Sequence, residues 1–146
     1  MATSFDQIID LALVTVDDYK LKKLWNQSEE AFQKWCDGFL VSAVPNFFRC
    51  RQPLDYDLEA REFTADLSNI EISILADFWA IEWLDREIQN SAQIQNKLQV
   101  TSAFSMHSPA QNLKEKLNLS NALREKVYQK ITDYQIQDIE NIIGKE

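Results

Sequence analysis

The chain of 146 residues contains only two glycines, three prolines, two cysteines and one histidine. Sandwiches, barrels and open βαβ folds need turn residues at short intervals, and glycine supplies most of the positive φ angles those turns require. Scarcity of both glycine and proline therefore predicts long helices joined by few loops. Cys36 and Cys50 are too few and too far apart for a disulfide framework or a thiolate metal knuckle. With Gly38 and Gly144 as the only glycines, no phosphate-cradling loop can be written. No run of about 18 apolar residues occurs, so no membrane span is expected. The segment Met1-Ala2-Thr3-Ser4-Phe5-Asp6 has no basic stretch ahead of an apolar one, so a secretory leader is not expected and a reduced, cytoplasmic chain is. A net charge of −8 disfavours general affinity for duplex DNA, which rests on cations neutralising phosphates.

What is present is apolar and aromatic. Hydrophobic residues make up 45% of the chain and aromatic residues 11%, too much apolar surface for a solvated coil. One domain is expected over residues 1–135, followed by an apolar tail over 136–146. The charge falls in blocks: 51–90 holds ten acidic and three basic residues, net −7, and 91–132 holds six basic and two acidic, net +4. The flanking blocks are each mildly acidic. Such blocks are either solvated helix faces or complementary surfaces.

The periodicity predicts an all-α helical bundle with a long C-terminal helix and one short β-hairpin or extended arm. Ser4 caps a first helix through Phe5, Ile8, Ile9, Ala12 and Leu13, with an interruption at Thr15-Val16 before Leu21, Leu24 and Trp25. A second follows Ser28 with the stripe Phe32, Trp35, Cys36, Phe39, Leu40 and Ala43. Gly38 inside it predicts a close helix crossing. Pro45 opens a turn toward Phe47 and Phe48, and Arg51 to Asp57 reads as an extended connection. Phe63, Ala65 and Leu67 alternate like a short strand. Ser68-Asn69-Ile70-Glu71 is a capping box opening the most apolar helix, to about Gln89. Residues 90–107 read as part helical and part extended. Ser108-Pro109 opens a last helix to about Gln135, with Leu113, Leu117, Ser120, Leu123, Val127, Ile131 and Tyr134 as a narrow seam and a polar opposite face. At about 40 Å it spans or overreaches a globule whose radius of gyration is about 15 Å.

No catalytic constellation emerges. His107 lies in a polar stretch with no fixed partner, and surface exposure is the expected reading. Glu82, Asp85 and Glu87 lack the Glu-x-x-His companions of a di-iron bundle and read as ion-paired or solvated. Cys50, between Arg49 and Arg51, is a candidate for a lowered thiol pKa, with an inert thiol as the simpler expectation. Trp25, Trp35, Trp79 and Trp83 suit a core or an interface. No cofactor, no metal and no enzymatic activity are expected.

Four stretches carry a family resemblance: Ser4-Phe5-Asp6-Gln7-Ile8-Ile9-Asp10-Leu11-Ala12-Leu13-Val14-Thr15-Val16-Asp17-Asp18-Tyr19, Gly38-Phe39-Leu40-Val41-Ser42-Ala43-Val44-Pro45-Asn46-Phe47, Ile74-Leu75-Ala76-Asp77-Phe78-Trp79-Ala80-Ile81-Glu82-Trp83-Leu84, and Phe104-Ser105-Met106-His107-Ser108-Pro109-Ala110-Gln111-Asn112-Leu113-Lys114. In this order they resemble the head–tail connector (adaptor) proteins of tailed bacteriophages. The resemblance implies a helical subunit of the virion neck, made in the host cytoplasm, that forms a homo-oligomeric ring between the portal and the tail or stopper. DNA would pass through the bore without specific binding. A ring needs head-to-tail contacts, for which Glu82, Asp85 and Glu87 against Lys114, Lys116 and Arg124 are the candidate subunit interface. Ile136, Ile139, Ile142 and Ile143 are the candidate portal-docking residues. A stopper or tail-completion protein, or a small helical regulator that inhibits a host protein, are the alternative readings.

Overall fold

The computed structural model describes residues 2–16, 19–100 and 107–144. In chain order these form β1 (Thr3–Ser4), α1 (Phe5–Thr15), α2 (Tyr19–Gln27), α3 (Glu29–Ala43), a 3-10 turn (Val44–Asn46), β2 (Tyr56–Asp57), β3 (Glu62–Phe63), α4 (Asn69–Val100) and α5 (His107–Ile143). The expected helical bundle with a short hairpin is what forms. The hairpin is joined by β1, so the sheet has the antiparallel order β1-β3-β2, with Thr3 and Tyr56 both opposite Phe63.

Local chemistry sets most of the boundaries. The Ser4 hydroxyl accepts from the Asp6 N–H and that of Ser28 from the Ala31 N–H, satisfying donors that have no intrahelical acceptor. Val16 is extended and ends α1 at Thr15, where the β-branched pair predicts a break. The expected Asp17 or Asp18 cap lies outside the described residues. The capping box before α4 closes reciprocally: the Ser68 N–H donates to Glu71 Oε1 at 2.9 Å and the Glu71 N–H to the Ser68 hydroxyl at 3.4 Å.

Two lengths exceed expectation. The fourth helix continues beyond Gln89 to Val100, because its Asn- and Gln-rich end contains neither glycine nor proline to stop it. The last helix has 37 residues, hence about 55 Å, and runs without a break through position 135 to Ile143. It starts at His107. Pro109 therefore falls in the first turn, where its missing N–H has no acceptor to lose. Residues 101–106, with Phe104 and Met106, lie outside the described residues.

The core is built around α4. Its Ile74, Leu75, Phe78, Trp79 and Leu84 meet Phe5, Ile8 and Ile9 of α1, Phe39 and Leu40 of α3, and Leu123, Val127 and Tyr134 of α5. Trp79 is fully buried, and its indole N–H donates to the Cys36 carbonyl at 2.8 Å. Polar pairs fix α5 antiparallel to α4: Glu71 with Tyr134, Asp77 with Lys130 and Asp85 with Arg124. Leu117, expected in the seam, is 45% exposed, because the described core ends near Ser120.

A second tie holds the hairpin. Arg61 has φ 54°, the one positive φ among the described residues, a conformation that is costly for a side chain of this size. Its carbonyl accepts from the Phe5 N–H at 2.9 Å. Its guanidinium reaches Asp37 of α3 at 2.8 Å and Asp6 of α1 at 2.8 Å. The three contacts hold the unusual backbone in place and join β3, α1 and α3.

Gly38 is a correction. It lies on the exposed side of α3 with no atom of the described residues within 4 Å of where a Cβ would stand, so no described helix crosses there. Gly38→Ala should therefore stabilise the protein by about 1 kcal/mol, read as a higher urea midpoint at unchanged slope. A loss of stability would mean that the glycine serves a contact within the chain.

Candidate functional site

The surface most distinct from an ordinary solvated face lies along the C-terminal half of α5, and a buried carboxylate positions it. Glu71 is 2% exposed in the first turn of α4. Its Oε2 accepts from the Tyr134 hydroxyl at 2.7 Å and the Cys50 thiol at 3.2 Å. Its Oε1 accepts from the Gln52 amide at 2.7 Å and the Ser68 N–H at 2.9 Å. The Tyr134 hydroxyl in turn accepts from the Arg51 N–H at 2.8 Å. The Arg51 guanidinium lies 3.9 Å from the Tyr134 ring centre and pairs with Asp138 at 2.8 Å. Loop 50–52, the start of α4 and the last turns of α5 are thus one hydrogen-bonded unit.

Burial alone would push the Glu71 carboxyl upward, but the donors from Ser68, Tyr134, Gln52 and Cys50 outweigh it and hold the group down at about 2. Burial pushes the Tyr134 phenol up to about 12, and the Glu71 carboxylate adds to the rise. The Cys50 thiol is pushed up to about 11 by burial, again with Glu71 adding. The candidate lowering by its two arginine neighbours does not occur. Arg49 reaches out to Gln135 at 3.2 Å and Arg51 is held by Tyr134 and Asp138, whereas the thiol faces a carboxylate. A thiol in that setting is a poor nucleophile.

The expected interface charges are brought together within the chain. Asp85 and Arg124 pair at 2.6 Å, and Glu87 and Lys116 at 3.8 Å, across the α4–α5 contact. Glu82 accepts from the Asn46 amide at 2.8 Å. Lys114 is exposed on α5. The acidic and basic blocks therefore meet in part as neighbouring helices within one chain, and the pairs are partly exposed, of modest energetic weight.

The isoleucines stand differently. Ile136, Ile139 and Ile143 are all exposed, the last by 65%. Nothing is described of the Ile142 side chain. These residues lie on the continuous α5 rather than on a separate tail. The seam uses Ile131 and Tyr134, and one helical face further round come Tyr128, Ile136, Ile139 and Ile143. The outer face of α5 is therefore not uniformly polar. Beside Tyr128 stands Phe48, 79% exposed, between two cavities of about 350 and 330 Å³. Both cavities are lined by Asn46, Phe48 and Tyr128; Phe78 and Ile81 line the first, and Ile131, Thr132 and Gln135 the second. Together they form a groove that leads along α5 toward the isoleucine row.

Phe48 and Tyr128 were not legible as surface residues. Phe48 reads as part of an apolar run with Phe47, which is buried, and Tyr128 falls one position off the seam. The tryptophans divide: Trp79 is core, Trp35 and Trp83 are half-buried, and Trp25 is exposed with its edge against Phe32. Arg86 lies over the Trp35 ring at 4.8 Å.

Among the described residues no group of three His, Cys, Asp or Glu side chains could hold a metal ion. No described helix is long and apolar enough to cross a membrane. The side chain of His107 lies outside the described residues. No family model, curated protein or solved structure matches the chain.

The Glu71 cluster makes a pH-dependence. A folded pKa of about 2 against an ordinary 4.5 contributes stability above pH 4.5, and that stability fades as pH falls toward 2. Between pH 7 and pH 3 the group should cost the fold about 2 kcal/mol. Urea unfolding at the two pH values checks this, with Glu71→Gln expected to lose that share of the difference. An equal pH response in wild type and Glu71→Gln would contradict it. Tyr134→Phe should cost about 1–3 kcal/mol at pH 7, since it strips donors and acceptors from buried partners.

Proposed function

We propose that the protein is a structural subunit of a phage neck, a head–tail connector that binds the portal through the outer face of α5. The observation that carries this reading is the row Ile136, Ile139 and Ile143, exposed on a helix that the Glu71–Tyr134–Arg51 unit holds rigidly. Apolar side chains at spacings of three and four on an exposed helix face are what a partner's groove takes up. A rigid presentation lowers the entropy lost on docking. The resemblance of the four stretches to adaptor proteins supplies the class of partner. The acidic balance suits a ring whose bore must let DNA slide rather than hold it.

The test is co-expression with the portal protein followed by electron microscopy and native mass spectrometry. The expected product is a cyclic oligomer seated on the portal. Ile139→Glu should abolish co-purification, whereas Gly38→Ala should retain it. Absence of the protein from purified virions, together with no association with a portal, would overturn the reading and favour the regulator alternative.

A further inference from the structure

We propose that the groove beside Phe48 and Tyr128 is a binding site for an arginine side chain carried on an extended segment of another protein. The inference concerns the groove rather than the isoleucine row, and it stands or falls independently of the connector reading.

The first cavity, of about 350 Å³, has the chemistry of a cation site. The charged side chains that line it are Glu82, Asp85 and Arg124. Asp85 and Arg124 satisfy each other at 2.6 Å, which leaves the charge of Glu82 uncompensated. Glu82 is half-buried, and its Oε1 accepts from the neutral Asn46 amide at 2.8 Å. Among the described residues its Oε2 has no donor, and no cation pairs with the carboxylate. A carboxylate partly withdrawn from water and without a counter-charge favours a cationic occupant and disfavours a phosphate.

The rest of the wall says which cation. Phe48 and Tyr128 are exposed, and the Tyr128 ring makes no ring or cation contact among the described residues. A divalent metal needs more oxygen ligands than the one free carboxylate here, and aromatic walls supply none. An ammonium is compact and strongly hydrated, so it gains little from such walls. A guanidinium is planar and weakly hydrated: its edge donates to a carboxylate while its face lies on an aromatic ring. The same combination already occurs within the fold, where Arg51 lies 3.9 Å from the Tyr134 ring centre and pairs with Asp138 at 2.8 Å. Tyr128 and Glu82 are the corresponding aromatic ring and carboxylate in the groove.

The length of the groove favours a protein segment over a free small cation. The second cavity, of about 330 Å³, shares Phe48 and Tyr128 with the first and reaches Ile131. The two lie about 8 Å apart along α5. Arg49 lines the second and lies over the Phe48 ring at 5.4 Å, so it repels a further cation there. The occupant is therefore defined by one guanidinium in the first cavity and one apolar side chain in the second. In an extended segment, side chains two residues apart point the same way about 7 Å apart, close to that separation.

Amide NMR titration of the isotope-labelled full chain tests the site. The probes are a blocked pentapeptide with arginine and, two residues on, leucine; the same peptide with citrulline for arginine; and N-acetyl-arginine amide. The expected result is saturable shifts confined to residues 45–48, 81–85 and 124–132. The arginine peptide should bind with a dissociation constant on the order of millimolar, about tenfold tighter than either other probe. Glu82→Gln keeps the carbonyl that Asn46 uses and removes only the charge. It should weaken the arginine peptide about tenfold and leave the citrulline peptide unchanged. Tyr128→Ala should weaken it about fivefold with an unchanged helical spectrum. Glu140→Gln, exposed at the far end of α5, should change nothing. Shifts that never saturate overturn the proposal, as does a citrulline peptide that binds as well as the arginine one, or Glu82→Gln binding like wild type. Arginine amide binding as tightly as the peptide overturns the protein segment as occupant. No probe involves the portal, so failure here leaves the connector reading to its own experiment.

Discussion

The arrangement of the long helices depends on one buried carboxylate. Glu71 opens α4, and its two oxygens collect four donors from Cys50, Gln52, Ser68 and Tyr134. A charged group so deep would be strongly unfavourable alone, and it is tolerated only because each oxygen is doubly hydrogen-bonded. The requirement works in reverse as well. Any displacement of α5 that removed Tyr134 would leave a buried anion short of a donor and a backbone N–H at Arg51 short of an acceptor. The helix is therefore locked in rotation and register at this end, and the faces it turns outward are fixed with it.

That lock explains why the isoleucine row is a feature of the surface rather than a loose end. Asp138, one turn beyond Tyr134, is tied back by Arg51, so the last turns of α5 project in a defined direction. A flexible tail would bury its apolar side chains wherever it met the domain. A stiff helix cannot fold back, and Ile139 and Ile143 remain in solvent. The acidic and basic blocks, by contrast, meet in three pairs where α4 and α5 run side by side, Asp77–Lys130, Asp85–Arg124 and Glu87–Lys116, and among the described residues the exposed Arg49, Lys114 and Glu140 have no carboxylate or cation partner. Surface recognition by this chain is thus better served by shape and apolar contact than by net charge.

Much of the architecture was legible before any coordinates. The helix starts at Ser4, Ser28 and Ser68 follow from side chains that reach donors two or three residues away. The seam of α5 from Leu123 to Tyr134 follows from helical spacing. What misled were positions where a local pattern has two tertiary meanings. Gly38 reads as a crossing point but faces open space. Cys50 between two arginines admits an activated thiol beside the simpler inert one; both guanidinium groups turn elsewhere and a carboxylate faces the thiol, which leaves the inert reading. The polar end of α4 reads as part helical and part extended, whereas the helix continues to Val100 because nothing there forbids it.

By itself, the sequence determined the class of fold, the caps and the apolar faces, because these rest on contacts within one or two turns of chain. Tertiary structure alone decided which charges meet, which apolar residues stay outside, and where the buried anion finds its donors. Tyr134 and Glu71 are 63 residues apart, as are no two partners in a capping box. Their meeting depends on how α4 and α5 pack, and no periodicity in either helix encodes it. The groove at Phe48 has the same origin, since it exists only where the 3-10 turn and the outer face of α5 come to lie side by side.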